Sequence, residues 1–231
     1  MADKKITALT QGIPVANDVL PYVSSPGASP VTQKTLYDNG GWVGAVGTWT
    51  YASATTITVP SGAATYYAVG DKIKLTQTTV KYFYVVAVAD TLLTITGGTS
   101  YTLTNAAITL PYFSHDASPV GFPGRFTYSP TLTFTAGTAP NTVSAASNSF
   151  SIQGNVCTLS TYNVYTNAGS TVTAVTITLP VTQAFTVQAA YGAITVGLAQ
   201  NLSFAYLSTT LIVSCASASA NRVTAGASYY I

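Results

Sequence analysis

The chain has 231 residues, of which only 6% are charged, and its formal net charge is +2 at pH 7. An average soluble domain is about one-quarter charged, and a nucleic-acid-binding surface needs clustered lysine and arginine, so this balance excludes a nucleic-acid partner. Apolar runs are too short to span a bilayer or to form a signal peptide, so we expect neither membrane insertion nor a secretory route.

The residue types predict an all-β protein. The chain contains 39 threonines and no glutamate. Thr, Val, Tyr and Phe favour strands, whereas strong helix formers are nearly absent. A surface of Thr, Ser and Asn is only weakly repulsive, which is tolerable when identical neighbours cover it. We therefore interpret the composition as that of an assembly subunit.

Residues 1–40 are predicted to form an N-terminal attachment arm. Apolar residues are too sparse here to build a core, and Pro14 and Pro21 interrupt an extended chain. We expect the arm to dock on another protein and to be ordered only there. Its expected anchors are Ile6, Leu9, Val19, Leu20 and Tyr22.

Residues 41–117 are predicted to form a small β-barrel or sandwich domain, because short strand-like runs alternate with turn residues. Ile73 and Leu75 alternate with Lys72 and Lys74, which predicts a strand with one solvated face. Asp71 lies beside this basic group, so we interpret it as a solvated surface and not as a phosphate site.

Residues 118–128, S-P-V-G-F-P-G-R-F-T-Y, are predicted to be the junction between two β bodies. Prolines fix φ and glycines permit turns, which favours a stiff, extended crossing. We expect the aromatic side chains to pin this crossing against one body or a neighbouring subunit, and Arg125 to find a partner across it. The junction residues are Pro119, Phe122, Pro123, Arg125, Phe126 and Tyr128.

Residues 129–231 are predicted to form a C-terminal antiparallel β-sandwich of the jelly-roll or Ig-like kind. Apolar residues alternate with polar ones in at least six runs, and Gly154-Asn155 marks a hairpin turn between two of them. The alternating positions are Phe150, Ile152, Cys157, Leu159, Val175, Ile177, Leu179, Phe185, Val187, Leu202, Phe204, Tyr206, Leu211, Val213 and Cys215.

The titratable residues do not predict an enzyme. Residues 127–231 contain no Asp, Glu, His or Lys and so lack an ordinary general acid or base. We interpret Asp71 and Asp90 as turn caps at strand ends, because no other feature of an active site accompanies them. His115 follows Ser114 and precedes Asp116, but adjacent strand residues point to opposite faces, so this run predicts a surface histidine and no triad.

No metal or cofactor is predicted either. One histidine and two cysteines cannot supply a tetrahedral zinc site without a further ligand. Cys157 and Cys215 both occupy apolar positions of predicted strands. Buried thiols are the interpretation we favour, and a disulfide between the two sheets stays open.

Aromatic residues of the middle domain are the remaining candidate site. Their rings could stack on a carbohydrate, although aromatic residues are also enriched in cores and subunit interfaces, which is the interpretation we favour. The candidates are Trp42, Trp49, Tyr51, Tyr66, Tyr67, Tyr82 and Tyr84.

Two parts of the sequence carry a resemblance. Residues 4–23 and 31–39, K-K-I-T-A-L-T-Q-G-I-P-V-A-N-D-V-L-P-Y-V and V-T-Q-K-T-L-Y-D-N, resemble the N-terminal attachment segment of tailed-bacteriophage fibre and appendage proteins. Residues 74–86, 94–109 and 119–133 look like a module of phage virion proteins.

The resemblance covers about the first 135 residues and implies a virion protein whose arm attaches to other virion proteins. It implies a homotrimer on the particle exterior, assembled in the host cytoplasm, with no catalytic residues. We expect a short tail fibre or tail-tip component. The alternatives are a capsid decoration or head fibre protein, and a receptor-recognition module that binds a host surface glycan.

Overall fold

The structure, a computed structural model, describes residues 19–22, 31–34, 40–136, 142–166, 172–184, 202–207, 209–215 and 222–231. Antiparallel strands and one turn of 3-10 helix, Ala63–Thr65, make up the regular structure of these residues. The predicted all-β class is confirmed. The expected arm anchors Ile6 and Leu9 lie outside the described residues, as do Phe185 and Val187.

A two-stranded hairpin lies within the predicted arm. Strand β1, Val19–Tyr22, pairs with β2, Val31–Lys34. Pro21 lies inside β1 opposite Thr32. Proline cannot donate to a ladder, and a two-stranded ribbon tolerates it because each strand has a free edge.

Seven strands between residues 43 and 114 form one antiparallel sheet, which we call the seven-stranded body. Its spatial order is β3-β9-β6-β7-β8-β5-β4. The strands are β3 Val43–Gly44, β4 Thr50–Ser53, β5 Thr56–Thr58, β6 Lys72–Gln77, β7 Thr79–Ala89, β8 Leu92–Thr96 and β9 Thr109–Ser114.

The seven-stranded body curls around a core of its own. Ile73, Leu75, Phe83 and Val85 of the central strands are at most 1% exposed. Tyr67 contacts Trp49, next to one edge strand, with ring centroids 5.6 Å apart, and Phe113 of β9 at 5.0 Å. One side chain thus bridges residues near both edges of the sheet, which is the geometry of a barrel-like curl.

The C-terminal part is a sandwich of two four-stranded sheets, which we call the sandwich. One sheet has the order β10-β12-β13-β17 and the other β11-β14-β16-β15. The strands are β10 Phe126–Thr127, β11 Leu132–Ala136, β12 Thr142–Gln153, β13 Val156–Thr166, β14 Val172–Thr178, β15 Leu202–Leu207, β16 Thr210–Cys215 and β17 Arg222–Tyr230.

The sandwich buries the apolar positions that alternate in its sequence. Phe150 and Ile152 of β12 face the same core as Val175 and Ile177 of β14. Gly154, at φ +54°, opens the tight turn between β12 and β13, as the Gly-Asn pair predicts. This alternation over two sheets is what closes a sandwich core.

Two glycines lie where the backbones of the two bodies meet. A Cβ on Gly70, at φ +91°, would overlap the carbonyl oxygen of Gly154. A Cβ on Gly98, at φ +59°, would overlap that of Thr127. Next to it the Thr99 N–H donates to the Thr127 carbonyl at 2.8 Å. The two bodies therefore touch backbone to backbone, with no room for side chains at these two positions.

Candidate functional site

The cationic and aromatic residues of the candidate site lie on the face of β6, β7 and β9 that points away from the core of the seven-stranded body. Lys72 and Lys74 alternate with buried Ile73 and Leu75, as the sequence predicts. The lysine face is not the solvated surface that the alternation indicates, because Lys72 is only 3% exposed. Its neighbours across the strands are Tyr84 and Ser114, both buried.

Lys74 lies between two aromatic rings. Its Nζ is 4.7 Å from the ring centroid of Trp42 and 4.6 Å from that of Tyr112. A cation at this distance from a ring face is attracted by the ring quadrupole. Desolvation lowers the pKa of Lys74. The Trp42 Nε1 donates to the Val120 carbonyl at 2.8 Å, so the same indole ties the junction to this face.

Several charged and hydrogen-bonding side chains lie together at the start of β6. The Asp71 Oδ2 accepts a hydrogen bond from the Ala68 N–H at 2.7 Å, which fits the predicted cap at a strand end. The Asp71 Oδ1 is 2.7 Å from the His115 Nδ1, whose side chain is 60% exposed. Desolvation lowers the pKa of Lys72, and the charges of Asp71 and Asp116 oppose that shift.

The run at 114–116 has no triad geometry. Ser114 is fully buried, and its Oγ accepts a hydrogen bond from the Asp116 N–H at 3.1 Å. His115 instead reaches Asp71, and its ring packs edge-on against Phe113 at 5.2 Å. The three side chains therefore do not share one hydrogen-bonded chain.

The junction begins with a tight turn and is not the extended crossing that its prolines predict. The Phe122 N–H donates to the Pro119 carbonyl at 3.0 Å, and Gly121 lies at φ +79°. This is the hydrogen bond and the positive φ of a type II turn, which glycine at the third position permits. The turn directs Phe122 back onto the seven-stranded body.

Six rings from both bodies pack together where the junction crosses, and we call this cluster the aromatic junction. Phe122 lies 5.0 Å from Tyr84 and 5.6 Å from Phe126, centroid to centroid. Tyr84, on β7, also contacts Phe150 of the sandwich at 6.4 Å. Most of these pairs are T-shaped, a favoured arrangement of ring quadrupoles. The members are Tyr82, Tyr84, Tyr101, Phe122, Phe126 and Phe150.

Tyr84 belongs to the seven-stranded body by sequence and to the sandwich core by packing. It is 3% exposed and is buried with Phe126, Phe150 and Ile152. Burial raises the pKa of the Tyr84 hydroxyl, and a hydrogen bond to the Ile152 backbone opposes that shift. One side chain thereby couples the two bodies through both packing and a polar contact.

The remaining junction residues lie at the edge of this cluster. Tyr128 is 7% exposed and packs against Phe150 at 6.0 Å. Pro123 is half-buried. Arg125 is exposed, and its Nη1 donates to the Ser149 Oγ at 3.3 Å. The described partner of Arg125 is therefore a hydroxyl on β12, which pairs with the strand that follows the arginine.

The candidate aromatics of the middle domain fall into three groups. Trp42, Trp49, Tyr67 and Tyr84 are 2–4% exposed, so neither indole presents a ring face to a sugar. Tyr51 and Tyr82 are half-buried. Tyr66 is 42% exposed.

Within the aromatic junction, the sequence does not indicate Tyr101, and it predicts Phe150 only as an inward position of a strand. Tyr101 follows a Gly-Gly-Thr-Ser turn, and Phe150 looks like any inward residue of a strand. The Gly97–Tyr101 bridge brings the Tyr101 ring to Phe126 at 5.8 Å. An aromatic residue beside a glycine turn was the available signal.

The other predicted features have these positions. Val19, Leu20 and Tyr22 lie in β1 of the hairpin. Cys157 is a free, buried thiol whose pKa burial raises to about 11. The described residues contain no group of three or more His, Cys, Asp or Glu that could hold a metal. They also contain no helix long and apolar enough to cross a membrane.

Comparison with known proteins gives no match. No protein-family model matches the chain, and neither a curated protein nor a solved structure does.

Proposed function

We propose that the chain is a non-enzymatic structural protein of a bacteriophage virion. It is a homotrimeric exterior appendage, held on the particle by its N-terminal arm. A short tail fibre or tail-tip component is the form we favour, and capsid decoration is the alternative.

The aromatic junction is the observation that carries the proposal. Tyr84 and Phe122 lie 5.0 Å apart and connect two all-β bodies through one packed cluster. Contacts between domains are commonly small and allow relative motion. Here the shared core and the glycine contacts hold the bodies together, which suits a projecting part that must keep its shape.

The distribution of charge supports the subunit interpretation. After Arg125 the chain has one further charge, Arg222. A sandwich surface with so few charges costs less to desolvate than a charged surface when a second copy covers it, provided that the buried hydroxyls find hydrogen-bond partners. We expect the subunit contact to bury well over about 1,000 Å².

The location on the particle is tested with antibodies against two parts of the chain. Antibodies against the sandwich are expected to bind intact, washed virions of the phage that encodes the chain. Antibodies against residues 1–40 are expected to bind only after the particles are disrupted, because the arm is covered by its neighbour. Protein that is present in infected cells but absent from washed particles contradicts the proposal.

The trimer is tested separately by sedimentation equilibrium of the purified chain. The expected mass is three times the 23.8 kDa of one subunit. A monomer at micromolar concentration would contradict the trimer and leave the virion location to the antibody experiment.

A further inference from the structure

A cavity of about 440 Å³ is lined by residues of the sandwich and by Thr99, which follows β8 of the seven-stranded body. Its lining includes Leu132 of β11, in one sheet, and Asn148 of β12 and Asn163 of β13, in the other sheet. Its lining includes Thr127, near the end of the junction, and Ser129, which follows the junction. Small-molecule sites span roughly 300–1,000 Å³, so the cavity is large enough for a small ligand.

Two buried amides form one wall of this cavity. The Asn148 Nδ2 donates to the Asn163 Oδ1 at 3.0 Å, and the Asn163 Nδ2 donates to the Asn148 Oδ1 at 3.0 Å. Asn148 is 7% exposed and Asn163 is 1% exposed. Both occupy inward positions of their strands, in phase with Phe150 and Leu159 of the apolar core.

This amide pair has hydrogen-bonding capacity to spare. A carboxamide has two N–H hydrogens and two oxygen lone pairs. Among the described residues, the reciprocal pair uses one donor and one acceptor of each side chain. Each amide atom already has one partner, and the second N–H hydrogen and the second oxygen lone pair are what a ligand with both donors and acceptors could use.

The other lining groups define the chemistry of that ligand. Thr99, Thr127 and Ser129 contribute hydroxyls, and the Thr127 Oγ1 lies 2.9 Å from the Thr99 Oγ1. Tyr128 and Leu132 contribute apolar surface. The described lining holds no charged side chain. Hydroxyls and amides both donate and accept, so they match a neutral ligand with many hydroxyls and an apolar C–H face.

We propose that this cavity binds a small neutral saccharide, with the Asn148–Asn163 pair as its polar wall. The proposal is independent of the virion assignment, because it depends only on the lining of the cavity. It also differs from stacking on the tryptophans, which are buried elsewhere.

The binding test uses the full chain with four probes. Glucose, galactose and N-acetylglucosamine are neutral, and glucuronate is the matched charged control. Saturation-transfer NMR and a titration are expected to show saturable binding of at least one neutral sugar and none of glucuronate. Failure of all three neutral sugars to bind, or equal binding of glucuronate, overturns the proposal.

Substitutions place the binding in the cavity. Thr127→Val with Ser129→Ala removes two hydroxyls from the lining and is expected to weaken binding about fivefold per lost hydrogen bond. Ala146→Trp fills the cavity from an exposed position and is expected to abolish binding. Ser228→Ala removes an exposed hydroxyl that pairs with Thr158, away from the cavity, and should change nothing.

Circular dichroism of each variant establishes that it is folded. If Ala146→Trp does not fold, the double hydroxyl variant decides the question. Binding that survives in a folded Ala146→Trp variant, or that the double variant leaves unchanged, overturns the site.

Discussion

Gly70 lies where the turn of the β12–β13 hairpin meets the seven-stranded body. Its φ of +91° is a conformation that side chains rarely adopt, and the Gly154 carbonyl fills the space of a Cβ. Gly70→Ala is therefore expected to destabilise the protein by about 1–3 kcal/mol from backbone strain alone. In a chain of this size, that corresponds to a fall in melting temperature of roughly 2–4 °C per kcal/mol.

Two alanine substitutions separate the causes of that fall. Gly124 has no atom within 4 Å of a Cβ, so Gly124→Ala should leave the melting temperature unchanged. Gly62→Ala meets only an atom at 4.0 Å but shares the positive φ, at +82°. A Gly70→Ala variant no less stable than Gly62→Ala would show that the two bodies do not touch at Gly70.

Tyr128 buries a hydroxyl without a hydrogen-bond partner among the described residues. Tyr128→Phe removes that unsatisfied group and is expected to be neutral or stabilising by up to about 1 kcal/mol. The Tyr229 hydroxyl donates to the Val181 carbonyl at 3.0 Å. Tyr229→Phe is the matched comparison and should destabilise by about 1 kcal/mol in urea unfolding. A clear loss of stability in Tyr128→Phe would show that the Tyr128 hydroxyl does make a hydrogen bond in the folded protein.

Two lysines and two tyrosines that are at least partly buried predict how the stability of the protein changes at alkaline pH. Burial lowers the pKa of Lys72 and Lys74, so between their folded and unfolded values the unfolded chain binds more protons and stability rises with pH. Burial raises the pKa of Tyr84 and Tyr128. Above the ordinary tyrosine value of about 10, the folded chain therefore binds more protons and stability falls.

Urea midpoints measured from pH 7 to about 12 are thus expected to pass through a maximum near the ordinary tyrosine pKa of about 10. Tyr128→Phe should make the fall above that maximum shallower, because it removes one of the buried phenols. A midpoint that rises steadily through this range would contradict the burial of these groups.

At the scale of elements, the β12–β13 hairpin shows what local sequence can predict. Alternating Phe150, Ile152, Cys157 and Leu159 surround a Gly-Asn turn, and the structure has that turn between Gln153 and Val156. Period-two alternation and turn chemistry are both local signals, so a single sequence carries them.

Strand β17 is an element that these local signals do not predict. It pairs with β13 over nine residues, yet it was not among the predicted strands. Its buried positions include Ala225 and Ala227, whose small side chains give little alternation. The burial of Lys72 is not evident from the local sequence for a related reason, because it depends on Tyr84 and Ser114, which are distant in the chain. Neither the amide pair nor the aromatic junction could be placed without the strand registers.

The aromatic junction predicts that the two bodies unfold together. Phe122 is half-buried and contacts four rings. Replacing a fully buried phenylalanine with alanine lowers the free energy of unfolding by about 3–5 kcal/mol, so for Phe122→Ala we expect a smaller loss of about 1–3 kcal/mol. Because these contacts connect the bodies, calorimetry should resolve one transition in the parent chain and a broader or double transition in the variant.

Arg125→Ala is the control three residues away. Arg125 is exposed and makes one described side-chain hydrogen bond, to Ser149. We expect its substitution to change stability by less than about 0.5 kcal/mol. A larger effect of Arg125→Ala than of Phe122→Ala would show that the charge, and not the ring cluster, couples the bodies.

At the scale of the whole molecule, the arm is expected to behave differently from the two bodies. Dilute protease should remove residues up to about 40 from the isolated chain, because loosely held termini are cleaved first. The seven-stranded body and the sandwich should resist, since their larger sheets bury apolar cores, whereas the described strands of the arm form a single two-stranded pair. An arm that resists cleavage in the isolated chain would contradict its proposed role as an attachment segment.

The sandwich carries Arg222 as its single formal charge after Arg125, and this has a consequence for ionic strength. Counterions screen charges over roughly 8 Å at physiological salt, and a nearly uncharged surface offers them little to screen. The proposed contacts between copies, made through the sandwich, should therefore have the same strength at low and at high salt concentration. Sulfate, which is excluded from protein surfaces, should even tighten them.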